Sequence, residues 1–290
     1  MASLRDIQRK IGAVKKTQQI TKAMNMVAAS KLRGTQMRME NFRPYAAKFG
    51  EVLGSLAARV EQERFALLRP RAEVKKVELF LITADRGLCG SFNMNLIMNC
   101  ERYIRQLRAE GKAYSLVCIG KKGRDFFRRR KYPIREAHID IMGKFGFDLA
   151  ARLGADATSL FLSGEADEVY MIYSHFLSAA RQTPTRKLLL PIAPAAVSEA
   201  RAGGVEHIFE PSVDVLMEAL LPKNINIQVF DSLLQTSVSE HAARMAAMDN
   251  ATRSCKDMIT DLTLTFNKAR QATITKELMD IVGGAEALKG

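Results

Sequence analysis

The sequence contains no tryptophan, only four cysteines, and no apolar run near the ~20 residues that span a bilayer. The six tyrosines are scattered, so aromatic platforms for single-stranded nucleic acid are poorly supplied. The cysteines form no CxxC pair and have no metal-ligand partner at a useful spacing, so we expect reduced thiols, no metal and no cofactor. The first residues lack the apolar core of a signal peptide and are expected to belong to the mature protein.

Positive charge is the feature in excess. The 290 residues carry a formal net charge of +13, and 47% of them are hydrophobic. This composition is typical of a globular protein with one or two domains. The charge predicts acidic partners, which could be nucleic acid, an anionic membrane face or an acidic protein surface.

The first 58 residues have no Gly-Pro cluster and no β-rich run. Ser3 can cap a helix start, and Asp6 fits its first turn. We predict one long helix, bent near Pro44, that would reach roughly 80 Å at 1.5 Å per residue. Its seam positions follow a spacing of three and four residues: Leu4, Ile7, Ile11, Val14, Gln18, Thr21, Asn25, Ala28 and Leu32.

The C-terminal third has neither glycine nor proline between Lys223 and Val282. A 3.5-residue period predicts a left-handed coiled coil, and the two terminal helices are natural partners. The seam comprises Leu234, Val238, His241, Met245, Met248, Thr252, Cys255, Ile259, Leu262, Phe266, Ala269 and Thr273. It then slips to Ile274, Leu278 and Ile281. The slip predicts that the helix leaves its partner and meets something else, or that its end is frayed and solvated.

The middle of the chain alternates between strands and helices. Helices are predicted over 93–109 and 147–162, and strands over 74–83, 114–120, 168–176 and 186–194. This alternation predicts an α/β sheet with some parallel pairing. The predicted fold is therefore an antiparallel coiled coil of both termini (1–58 and 210–290) with an inserted, Rossmann-like α/β domain (74–205).

The loop 85–93, with the sequence DRGLCGSFN, could belong to an active site. Asp85, Arg86 and Cys89 could form a nucleophile with a charge partner, but no histidine lies near them in the sequence. The glycines match neither GxGxxG nor GxxxxGK[ST], so nucleotide fingerprints are excluded. A tight turn that permits close packing is the favoured interpretation, and a small-molecule enzyme is the alternative.

Two basic segments indicate contact with acidic surfaces. Residues 121–131 hold seven Lys or Arg and a single Asp, which favours a solvated helix face or an acidic partner over a nucleic-acid tether. The N-terminal helix carries eight bases against one acid up to Arg33. Its alanine and methionine side chains suit adaptable contact or coiled-coil packing rather than a membrane surface.

Three stretches together resemble one family along essentially the whole chain. SLRDIQRKIGAVKKTQQITKAMNMVAASKLR at the start, DRGLCGSFN in the middle and HAARMAAMDNAT with NKARQATITKELMDIVGGAEAL at the end are similar to gamma subunits of F-type ATP synthases. The resemblance implies a non-catalytic central rotor stalk within a ring of three alpha and three beta subunits. It implies one copy per complex, with epsilon and the c-ring as further partners and with ATP chemistry on beta.

The resemblance also implies contact residues. Lys22 and Met24 match positions that face the acidic lever of beta. Arg270, Gln271 and Thr275 match residues that hydrogen-bond to a beta loop near the tip, and Arg244 matches a further polar contact residue. Phe209 and Glu210, within IFEPSVD, match the foot that approaches the c-ring.

Two departures from relatives imply the source. The chain lacks the extra insertion of plant and cyanobacterial relatives, and it lacks the paired cysteines of the plant regulatory dithiol. It also starts at the functional helix, without a transit peptide. We therefore expect a bacterial subunit, peripheral to the cytoplasmic side of the inner membrane, that couples proton flow to ATP synthesis.

Overall fold

The computed structural model describes residues 3–57, 60–192, 210 and 212–287. The chain divides into two compact units. The coiled-coil unit contains the described residues up to Ala28 and from Met245 onward, and the sheet unit contains those from Ala29 to Arg244. Two long helices, α1 (Leu4–Ala57) and α5 (Val213–Ala287), contribute residues to both units.

The start of α1 forms the predicted cap. The Ser3 hydroxyl oxygen accepts a hydrogen bond from the Asp6 amide at 3.2 Å, and the Asp6 carboxylate accepts one from the Ser3 amide at 3.3 Å. This reciprocal pair is a capping arrangement for amides of the first turn, and the Asp6 amide also donates to the Ser3 carbonyl at 2.9 Å. Helix α1 continues through Pro44, and α5 continues through Pro222.

The coiled-coil unit is antiparallel. The Asn25 side-chain amide donates to the Met245 carbonyl at 2.8 Å, and the hydroxyls of Thr21 and Thr252 lie 2.8 Å apart. The predicted seam is confirmed, since its members from Leu4 to Ala28 and from Met245 to Ala269 are buried or half-buried. The inclusion of Thr273 was wrong. That residue is exposed, because α1 begins at Leu4 and offers no further turn to cover it.

The sheet unit has five strands in the order β3-β2-β1-β4-β5. They are β1 (Lys76–Ile82), β2 (Ala113–Ile119), β3 (Ile134–His138), β4 (Glu168–Phe176) and β5 (Gln182–Leu190). The first four strands pair in parallel, and β5 pairs antiparallel with β4. The α/β class is confirmed. The short edge strand β3 was missed, because its sequence IREAH is charged and shows little of the apolar pattern of a strand.

Three helices complete the sheet unit: α2 (Phe92–Ala109), α3 (Lys121–Arg129) and α4 (Phe147–Ser163). Residues of α2 and α3 share a buried core with one face of the sheet, to which β1 contributes Leu79 and Leu81. These alternate residues point to the same face, as the two-residue period of a strand requires. The predicted helices over 93–109 and 147–162 agree with α2 and α4 to within one residue.

Helix α5 packs closely against its neighbours within the sheet unit. The Phe230 ring lies 4.8 Å from the Phe42 ring of α1 and 5.5 Å from the Phe147 ring of α4, measured between centroids. A Cβ atom on Gly154 would lie 2.0 Å from the Asn226 amide oxygen, so glycine permits the close approach of α4 and α5. Among the described residues, no helix has the length and apolar character required to cross a bilayer.

Candidate functional site: the helical shaft and the carboxyl ends of the strands

The contact residues that the resemblance implies at the N-terminus lie on α1 in the coiled-coil unit. Lys22 is exposed and Met24 is half-buried. Lys22 lines a groove of about 510 Å³ between the two helices, together with Asn25, Asp249 and Thr252 among others. The groove surrounds the hydrogen-bonded polar layer of the seam. Lys22 therefore presents its charge beside a polar section of the coiled coil.

The contact residues that the resemblance implies at the C-terminus lie on the single-helix end of α5. Arg270, Gln271 and Thr275 are exposed, as is every residue described for burial after Ala269. Arg270 follows Thr252 by about five turns, which places it roughly 27 Å further along the helix. The structure thus separates this group from Lys22 and Met24. Large apolar side chains are also exposed on this end: Ile274, Leu278, Met279, Ile281 and Val282.

The loop that follows β1 is organised by Asp85. Its carboxylate accepts hydrogen bonds from the backbone amides of Lys121 at 2.9 Å, Asp140 at 2.9 Å and Met142 at 3.0 Å. These amides follow β2 and β3, so one side chain joins the loops at the carboxyl ends of three strands. The predicted tight turn is present, with left-handed φ angles of 62° at Leu88 and 60° at Gly90.

Cys89 is poorly suited to act as a nucleophile. Its side chain is buried, and burial raises the pKa of the thiol. The Asn93 amide donates to its sulfur at 3.1 Å, and the oxygen of the same amide accepts from the Ala84 backbone at 2.9 Å. A buried neutral thiol held in this way is inert. Asn93 therefore fixes the loop through both ends of its amide.

Arg244 connects α5 to this loop. Its guanidinium lies 2.6 Å from the Glu240 carboxylate, and it donates to the Gly87 carbonyl at 3.3 and 3.4 Å. Burial raises the pKa of Glu240, and the Arg244 charge opposes that rise. The side chains of Arg244 and Glu240 are 12% and 6% exposed, so the pair is largely shielded from water. Arg244 is thus engaged inside the sheet unit.

Sequence reasoning missed that His241 lies beside the loop. His241, Asp85 and Arg86 line one cavity of about 290 Å³, whose other charged residues are Lys31, Asp140, Lys144, Glu240 and Arg244. Burial lowers the pKa of His241 to about 4, and the charges of Arg244 and Lys31 act in the same direction. The imidazole is therefore neutral at pH 7. His241 is far from the loop in the sequence, so its proximity could not be predicted from spacing. Its position in the periodic seam did predict that it is buried.

The remaining candidate residues are dispersed. Glu210 is exposed, and Phe209 lies outside the described residues. The basic run forms α3 and the turn after it, where Arg128, Arg129 and Arg130 are exposed. Among the described residues, no three His, Cys, Asp or Glu side chains are grouped so that they could hold a metal ion.

These features define a class of protein, in which a coiled coil of the two terminal helices carries an inserted α/β unit. The loop after β1 of that unit is hydrogen-bonded to Arg244 of α5. A family model described as ATP synthase matches residues 3–288. The chain is 58% identical to the ATP synthase gamma chain of Syntrophobacter fumaroxidans and 55% identical to that of Nitratidesulfovibrio vulgaris strain Miyazaki F. Both alignments cover 100% of this chain and 100% of the relative.

A solved structure is also similar. A chain of the central stalk and c-ring of the mitochondrial ATP synthase from Tetrahymena thermophila is 28% identical, with a TM-score of 0.61. The match covers 80% of this chain and 99% of that one. The chain belongs to the ATP synthase gamma chain family, which confirms the resemblance read from its sequence. Membership of this family favours the hypothesis of a non-catalytic stalk over those of a small-molecule enzyme and of a nucleic-acid tether.

Proposed function

We propose that this chain is the central rotor stalk of an F-type ATP synthase and transmits torque between a membrane c-ring and a catalytic ring. The observation that carries the proposal is the two-helix coiled coil that continues as a single exposed helix, in a chain of the gamma family. A shaft of two packed helices resists bending better than one helix. A polar layer at Thr21, Asn25 and Thr252 fixes the register of those helices.

The exposed end of α5 is the proposed tip within the catalytic ring. Arg270, Gln271 and Thr275 present donors and acceptors that suit hydrogen bonding to a loop of beta. The exposed apolar side chains from Ile274 to Val282 need a cover that the described chain does not supply. An enclosing ring of alpha and beta subunits would supply it. This reasoning supports a tip that is buried in the complex.

Lys22 and Met24 are the proposed contact with the acidic lever of beta. Neighbouring residues Ile20, Met26 and Val27 are between 57% and 60% exposed, which leaves an adaptable apolar surface around the Lys22 charge. Such a surface permits successive contacts of similar energy, as rotation requires. Arg244 is proposed as a further polar contact residue, although its bonds to Glu240 and Gly87 restrict how far it can reach.

The assembly is proposed from the family. We infer one copy per three alpha and three beta subunits, with epsilon and the c-ring at the other end and with Phe209 and Glu210 in the foot. The complex would lie at the bacterial plasma membrane, with this chain peripheral on the cytoplasmic side. The +13 charge of the chain suits the acidic surfaces that such partners would present.

The experiment that tests this function is Met24→Lys in the assembled complex. A new cation beside Lys22 should strengthen the grip on an acidic lever by about 1 kcal/mol or somewhat more. We expect ATP-driven proton pumping to fall relative to ATP hydrolysis, with subunit composition unchanged. Met37→Lys, which places the same cation at an exposed methionine of α1 within the sheet unit, is the control. An unchanged pumping-to-hydrolysis ratio in Met24→Lys would count against the proposed contact.

A further inference from the structure

The sheet has a topological switch point between β1 and β4. From β1 the chain moves outward to β2 and β3, and it then returns to place β4 on the other side of β1. In doubly wound α/β proteins, ligands bind at the carboxyl ends of the strands beside such a point. The carboxyl ends of β1 and β4 are therefore where this fold would ordinarily hold a small molecule.

Helix α5 fills this crevice with its own side chains. At the end of β4, the Ser174 amide donates to the Thr236 hydroxyl at 3.3 Å, and the Ser239 hydroxyl donates to the Ser174 carbonyl at 3.4 Å. After β1, Arg244 donates to the Gly87 carbonyl. All three α5 side chains lie within the sheet unit. The polar backbone at the strand ends is thus satisfied from within the chain.

Asp85 follows β1 and bonds to the loops on the other side of that strand, after β2 and β3. The Lys121 amide that it accepts from is the first of α3, and amides at a helix start are the groups that bind phosphate in nucleotide-binding sheets. Its other two donors, Asp140 and Met142, come from the loop after β3. Asp140 has a φ of 58°, an uncommon angle for a residue other than glycine. The hydrogen bond that the Asp140 amide donates to the Asp85 carboxylate helps to hold this conformation.

We propose that Asp85 is a built-in anion that joins the loops after β2 and β3 to the loop after β1 and so holds these strand ends in the position where α5 is bound. It is a positioning residue: it organises the loop that Arg244 grips. The consequence for torque transmission rests on the proposed rotor function. In that setting Asp85 would stiffen the part of the sheet unit in which Arg244 of α5 binds the loop after β1.

Removal of the carboxylate should create a site for an added anion. Three backbone amides would then point into the space that it leaves. Four cations, Lys31, Arg86, Lys144 and Arg244, line the adjoining cavity, and the acids that face it are Asp140 and Glu240. His241 faces it as a neutral ring. Formate is small enough to replace a carboxylate that Asp85→Gly deletes.

Hydrogen exchange of the full-length chain, measured at single amides, tests the proposal without its partners. We expect Asp85→Gly to accelerate exchange at Lys121, Asp140 and Met142 by about tenfold or more, since each loses a bond to a charged group. Sodium formate should slow these amides again, whereas sodium chloride at equal ionic strength should not. Glu73→Gln, which neutralises an exposed carboxylate of the same unit, should leave all three unchanged.

Asp85→Asn provides a second variant if the glycine variant does not fold. Oδ1 of Asp85 accepts from both Lys121 and Asp140, and Oδ2 accepts from Met142 alone. In Asp85→Asn, an amide oxygen at the Oδ1 position would still accept from Lys121 and Asp140. Hydrogen exchange should therefore accelerate more at the Met142 amide than at the other two. Unchanged exchange at all three amides in either variant, or equal effects of formate and chloride in Asp85→Gly, would overturn the proposal.

The assembled complex tests the link to torque. Asp85→Gly should lower proton pumping per ATP hydrolysed, and formate should restore the ratio. If formate restores amide protection while pumping is unaffected by the substitution, Asp85 does hold the three amides but its role in torque is refuted. If the unsubstituted chain itself fails to support coupled pumping, the proposed rotor function is what fails, and the exchange result stands independently.

Discussion

At the scale of single residues, Arg244 and Glu240 form an ion pair that is largely shielded from water. A nearly buried ion pair is strongly destabilised when only one partner is removed, because the other charge remains desolvated. We predict that Arg244→Met lowers the free energy of unfolding by about 3 kcal/mol, as measured by urea denaturation of the full-length chain. The loss includes the bond that Arg244 donates to the Gly87 carbonyl.

The exposed pair of Arg253 and Asp249 provides a control for the buried pair. Arg253 forms a similar i,i+4 pair with Asp249, but these side chains are 70% and 58% exposed. Arg253→Met should therefore cost less than about 1 kcal/mol. Adding Glu240→Gln to Arg244→Met should recover much of the loss, since no unpaired charge then remains. Equal costs for the two arginine variants would refute a special role for burial.

His241 gives the sheet unit a dependence on pH. Its pKa is about 4 in the folded chain, against an ordinary value of 6.5. Between these values the unfolded state binds more protons, so the stability falls as the pH falls through that window. We predict a contribution of about 2 kcal/mol lost between pH 7 and pH 5. His241→Gln should lack this contribution in urea denaturation at the two pH values, and an equal loss in both proteins would contradict the assignment.

At the scale of elements, the contact of α4 with α5 depends on Gly154. A methyl group there would collide with the Asn226 side chain. We predict that Gly154→Ala costs about 1 to 2 kcal/mol in the free energy of unfolding, as overpacking does. Asn226→Ala in the same chain should relieve most of that cost. Gly143→Ala, where no atom lies within 4 Å of the new carbon, is the control. If the double variant is no more stable than Gly154→Ala alone, the clash with Asn226 is not the cause of the lost stability.

The long helices could be predicted from sequence because their signal is periodic and extended. Ile7, Thr21 and Ala28 were assigned to the seam by spacing alone, and all three are buried. The change of register predicted at Ile274 lies about one turn beyond Ala269, the last half-buried residue of α5, and so marked only approximately where this helix leaves its partner. The strands β1, β2 and β4 were clear from apolar runs that are buried in a parallel sheet. Edge strand β3 lacked such a run and was missed.

The site was predictable only in part, because its contacts are long-range. The resemblance identified Arg244 as a contact residue, but spacing could not show that it grips Gly87, which lies far away in the sequence. Asp85 was considered as a charge partner for Cys89, whereas its carboxylate holds three backbone amides. Side chains that bond to distant backbone leave no periodic pattern. Their partners follow from the topology of the sheet, which sequence periodicity does not specify.

At the scale of the whole molecule, two features of the chain support a mechanical role. The carboxyl ends of β1 and β4, where this fold would hold a ligand, are occupied by α5 side chains. The exposed end of α5 carries apolar residues that require a partner for cover. A chain built in this way contributes rigidity and surface to an assembly. Membership of the ATP synthase gamma chain family agrees with that conclusion.

Rotation of this chain within the complex can be observed directly. The chain would be assembled with alpha and beta subunits of its own source, with the ring fixed to a surface and a probe attached to the sheet unit. We predict a complex with one copy of this chain per three alpha–beta pairs, in which ATP hydrolysis turns the probe in one direction through three equal steps. ATP hydrolysis by that complex with a probe that moves only by diffusion would show that the chain is not a rotor.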